Sequence, residues 1–414
     1  MVFSILGLIG LCTLAAILTL QSRRQTLPSA GNQPVAATAP SPLPWLEDAV
    51  NFARQVPDET KRVRLLVEAA SDYIAAGHQD TALKLAEDLP NKEKSRINKA
   101  RLIYATFADP HEALRTVTTI PDVADRTSVY RIIRAKFLRE SRLDLVRQTL
   151  GEDQDPYARS SGMDSLSEML VRQNKPAQAL EVAITIPDQQ LRKTATLRAQ
   201  VAQFVVDGET DFQAAAKTKN LSSEDLDHGL TQVAHSRIEV GDFDQARALG
   251  LKINRVVDRI SIFTGIAAYM TDHGHPDTAR PFLDEAEKWL PDTEPLYRDL
   301  AQDMIAHVRS FTDPAQEAQR LENLPPDEQD AYSPYLIRAL VKSGKVQQAV
   351  ARVQADPNRE LLMLSFPALL ASGGYFQELR NFRDSLSDPA EKAQLCLSAA
   401  MALIPPDVAT QPTP

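Results

Sequence analysis

Apolar positions recur at helical spacing along most of this chain. Leu65, Leu66, Ala69, Ala70, Tyr73 and Ile74 mark one stripe, and Val129, Ile132, Ile133 and Phe137 a second. Ile262, Phe263, Ile266, Ala267 and Met270 mark a third. Steps of three and four place each set on one face of an α-helix, with charged and polar residues opposite. No long period-two alternation appears, so the pattern predicts an all-α chain. Each long stripe is followed by a turn signal and a shorter apolar run. Gly241-Asp-Phe-Asp-Gln-Ala246 shows the form, and Gly77 to Ala82, Asn174 to Ala179, Gly274 to Ala279 and Gly344 to Ala349 keep its spacing.

A second marker closes each short run. Val56-Pro-Asp, Leu89-Pro-Asn, Ile120-Pro-Asp and Ile186-Pro-Asp share one form, and looser relatives stand between them. Boundaries at 56, 89, 120, 154, 186, 221, 253, 290, 324, 356 and 388 give ten steps averaging about 33 residues, which is a solenoid period. The chemistry of the marker explains its place. Proline pushes the preceding residue out of the α region and is accepted at the start of the next helix. The following Asp caps free N–H groups at that new end. Arg62, Arg126, Arg159 and Arg192 lie four residues after Asp58, Asp122, Asp155 and Asp188, the spacing of an ion pair. At the other turn, Gly or Asn supplies a left-handed residue. The small alanine beyond it lets the two helices approach closely.

The turn-and-alanine signature resembles that of tetratricopeptide repeats, with a longer first helix and a shorter second. The likeness covers residues 45–404. It implies an α-solenoid, a right-handed superhelix of ten to eleven helix-turn-helix repeats, whose concave first-helix face binds peptides or partner domains. Residues 45–56 suit a capping helix and 389–403 a closing one, and 405–414 reads as a disordered tail.

The first twenty residues carry no charged side chain, enough to cross about 30 Å of hydrocarbon as a helix. Residues 1–20 therefore read as an uncleaved transmembrane anchor, with a signal peptide as the rival. Arg23 and Arg24 follow the span, which leans the body towards the cytoplasmic side. Residues 21–44, rich in Pro, Ala, Ser and Gln, form a spacer.

Composition narrows the partner. The net charge is −9, which argues against nucleic acid. Two cysteines, Cys12 and Cys396, make neither a disulfide framework nor a zinc site. His273 and His275 flank a turn glycine and lack the further ligands a metal needs. No catalytic or cofactor motif appears, so the chain reads as a non-enzyme without a cofactor. Stacked repeats place equivalent positions in a row, and Arg64, Arg101, Arg131, Arg134 and Arg198 are the candidate partner-binding residues of a basic stripe. The competing reading pairs each such arginine with a capping Asp. The expected role is a membrane-tethered scaffold that binds a protein or peptide. A periplasmic or secreted helical-repeat protein that binds envelope components is the alternative.

Overall fold

The structure, a computed structural model, describes residues 41–87, 89–90, 110–120, 122–356 and 358–404. Among these residues every regular element is helical and no strand occurs. Leading helices alternate with shorter return helices, an arrangement compatible with a helical-repeat array. In chain order a first helix, α1 (Leu43–Ala53), is followed by the leading helices α2 (Glu59–Ala75), α3 (Val123–Arg139), α4 (Pro156–Arg172), α5 (Gln189–Val206), α6 (Ser223–Glu239), α7 (Val256–Asp272) and α8 (Pro295–Thr312), and α9 (Pro389–Leu403) closes the run. The predicted closing helix is thus found at its predicted place. No helix among the described residues is long and apolar enough to cross a membrane. The expected anchor, residues 1–20, lies outside the described residues, as do most of the spacer and the 405–414 segment.

The boundary marker works differently at its two charged positions. Each Asp caps as expected: Asp58, Asp122, Asp155 and Asp188 accept from the backbone N–H three residues on, at 2.6 to 2.8 Å. The arginine does not turn to that occupied carboxylate. Arg62, Arg126 and Arg192 instead donate to the carbonyls of Val56, Ile120 and Ile186 at 2.7 to 3.0 Å. Arg259 does the same to Ile253 at 2.7 Å. Helical side chains lean towards the N-terminus, which carries each guanidinium back over the turn to the end of the preceding helix. There it meets an unpaired carbonyl and the negative end of the helix dipole. One acidic and one basic residue thus finish two helix ends at once.

At the other turn, Gly241 takes φ 78° and Asn174 φ 60°. Return helices Gln79–Glu87, Leu143–Glu152, Pro176–Ala183 and Phe243–Gly250 pack on α2, α3, α4 and α6. Their alanines Ala82, Ala179 and Ala246 are fully buried, as are Ala279 and Ala349. In the units that begin at 324 and 356 the leading helix is split, into Pro326–Ala331 with Ser333–Lys342 and into Arg359–Leu362 with Phe366–Ser372. Pro334 and Pro367 stand in the first turn of the later pieces, where proline starts a helix but does not continue one.

The chain divides into two compact units, one of residues 1–97, 270–279 and 309–414, the other of 98–269 and 280–308. In the first, α1 and α2 both pack on α9. The expected capping and closing helices pack on one another. In the second, α3 to α6 stack neighbour on neighbour, and α4 also touches α6 across the intervening α5. Arg172 at the end of α4 pairs with Glu239 of α6, and Arg237 donates to the Asn174 side chain at 2.9 Å. That bond gives asparagine a task at the turn which glycine could not perform.

Candidate functional site

The five arginines of the proposed stripe do not share one environment. Arg134 of α3 is 3% exposed. Its guanidinium meets the Asp153 carboxylate at 2.7 Å, the Thr149 hydroxyl at 3.1 Å and the Ala158 carbonyl at 3.0 Å. Thr127 also donates to Asp153, at 3.0 Å, so this carboxylate is held inside the fold by several donors. Arg198 of α5 is 5% exposed and donates to the Asp164 side chain at 2.6 Å. Both fasten one leading helix to the following or preceding unit, a structural use of charge. Arg131 is exposed on α3, and Arg64 is exposed on α2 in the other compact unit. Arg101 lies outside the described residues.

What the second unit does offer is a groove of about 840 Å³ across the first turns of α5, α6, α7 and α8. Five carboxylates line it, Glu224, Asp225, Asp227, Asp258 and Glu294, against the cations Lys193 and Arg255. The five carboxylates outnumber the two cations by three. Helix N-termini attract acidic side chains for structural reasons, so each carboxylate has to be weighed. Asp225 forms a capping box with Ser222 and pairs with Lys193 at 3.2 Å. The Ser222 hydrogen bond, then Lys193, holds its pKa below the usual carboxylate range. Asp227 accepts from the backbone N–H of Asn254 and Arg255 at 3.0 and 3.1 Å, tying α6 to the next unit. Asp258 pairs with Arg255 at 3.6 Å. Burial nevertheless raises its pKa, with Asp227 and Glu294 adding to the effect.

Two carboxylates remain outside these structural roles, Glu224 on the first turn of α6 and Glu294 just before α8, both exposed. Beside Glu294, Leu296 is 81% exposed, and the Tyr297 ring lies under the Arg255 guanidinium at 5.0 Å. The groove thus joins an apolar knob and an aromatic face to unengaged negative charge. Sequence reasoning passed over these residues. The Glu294-Pro-Leu296 step reads as helix punctuation, and only the stacking of four leading helices brings it to Glu224.

Among the described residues, no group of three or more His, Cys, Asp or Glu side chains is placed to hold a metal ion. Comparison with family models, curated proteins and solved structures returns no match.

Proposed function

We propose that the chain is a tetratricopeptide-like helical-repeat scaffold, tethered to the membrane through residues 1–20, that grips a segment of a partner protein in the groove over α5 to α8. The observation that carries this reading is the exposed Leu296, flanked by the unengaged carboxylates of Glu224 and Glu294. A segment with one apolar side chain between basic residues complements that surface: the apolar contact supplies affinity, and the charges steer and orient. The site lies on the N-terminal rim of the leading helices. The opposite, C-terminal ends of α4 and α6 are taken up by the ties from Arg172 and Arg237.

A photo-crosslinking residue placed at Leu296 in the full-length chain, inside its own cells, tests this. The expected result is a discrete protein adduct that is absent when the probe sits at Ile184, which is also exposed. Glu224→Lys with Glu294→Lys should abolish the adduct. Equal adducts from both probe positions, or adducts indifferent to the charge reversal, would overturn the reading.

A further inference from the structure

We propose that the seam between the α1–α2 hairpin and α9 is a latch, the place where the first compact unit opens. Asp48 of α1 and Arg383, on helix Phe376–Ser385, are paired at 2.5 Å although 335 residues separate them in sequence. The contact ties α1 to the helix just before α9, and α1 also packs on α9 itself, the last helix of the described chain, with no turn connecting them. Most other helix pairs in the unit are joined by a turn of a few residues and stay close even when their packing loosens. The seam has no such restraint.

Its fastening is compact. The Arg383 guanidinium lies 5.9 and 5.8 Å from the Trp45 and Phe52 rings while it holds Asp48, and the Lys392 ammonium lies 5.5 Å from Phe52. α1 and α9 pack on one another, and Leu46, Ala49 and Ala53 of α1 and Leu397 and Ala400 of α9 are all buried. Asp48 is 42% exposed, so water and salt reach the ion pair that closes the seam. The pairing is antiparallel. Phe52 lies by Lys392, and Asp48, one turn earlier, acts on Cys396, one turn later. The chain therefore enters α1 and leaves α9 at the same end of the seam. A load on the segments that precede and follow the array pulls the two helices apart contact by contact, the weakest direction for such a pair. At 11 residues, α1 has little helical stability once it leaves α9, so local opening is the expected excursion.

Cys396 is fully buried in this seam and serves as the reporter. Burial lifts its thiol pKa to about 12, so while the seam is closed the group is unreactive as well as inaccessible. In the full-length chain carrying Cys12→Ser, Cys396 is the sole thiol, and its rate of labelling by a small neutral maleimide measures opening. Asp48→Lys should speed labelling at least ten-fold without changing helical circular dichroism or the fluorescence of Trp289 in the second unit. Combining Asp48→Arg with Arg383→Asp should restore slow labelling. Labelling that is unchanged by Asp48→Lys and by Arg383→Met, or that appears in every variant only as the Trp289 signal collapses, would overturn the proposal.

Discussion

The same glycine-to-alanine change should have opposite signs at two helical positions. Gly229 lies in α6 against α5. A Cβ there would stand 2.6 Å from Val201 Cγ2, 3.2 Å from Val201 Cβ and 3.4 Å from Leu197 Cγ. Ordinary carbon contacts begin near 3.5 Å, so the valine methyl must retreat by about 1 Å. Valine holds essentially one rotamer in a helix, which leaves separation of the two helices as the main relief. Overpacking of this kind costs about 1–3 kcal/mol, and alanine recovers about 1 kcal/mol of helix propensity. The net expectation for Gly229→Ala is a loss of about 1 kcal/mol. Gly151, in the return helix Leu143–Glu152, has nothing within 4 Å of a built Cβ and no positive φ, so Gly151→Ala should gain about 0.5–1 kcal/mol. Urea unfolding reads both. The chain has two tryptophans, and in a Trp45→Phe background Trp289, edge-on to Phe263 at 4.7 Å, reports the second unit alone. If both variants shift the midpoint in the same direction by similar amounts, the assigned α5–α6 packing is wrong.

Two further outcomes follow from buried charge. Arg134→Met should cost about 3–5 kcal/mol in the same urea assay, because Asp153 stays buried without its cation, and adding Asp153→Asn should recover part of the loss; a cost below about 1 kcal/mol would deny the pair its structural role. Burial pushes the pKa of His235, beside Ser261 at 3.3 Å, down to about 4, with Glu168 opposing weakly. Its folded pKa lies below the unfolded value, so the unfolded chain binds the extra proton between about pH 6.5 and 4. The stability this residue contributes is complete above pH 6.5 and falls as pH drops through that window, a slope that His235→Asn should remove from a plot of unfolding free energy against pH.

The fold was largely legible because its signals are local. Asp188 caps α5 and Ala246 vanishes into a helix contact for reasons that a few neighbouring residues decide. Arg192 shows where locality misleads. Its spacing from Asp188 suits an ion pair, but the capping bond occupies the carboxylate and the carbonyl of Ile186 lies within reach. The candidate site was less legible for a different reason. Arg134 and Arg198 lie on leading helices as the exposed Arg64 and Arg131 do, and nothing in the local pattern announces that Asp153 and Asp164, contributed by other helices, will draw them inside. Glu224 and Leu296 meet only through stacking, which no window of sequence contains.

The ties from α4 to α6 limit how this protein can change. An array in which each copy touches only the next can gain or lose a member and close up again. Here, a copy inserted between α4 and α6 would move Arg172 from Glu239, and Asn174 from Arg237, by roughly a helix diameter of 8–10 Å. Both bonds would break together. Over this stretch the spacing of α4 and α6 is set by the reach of these two bonds.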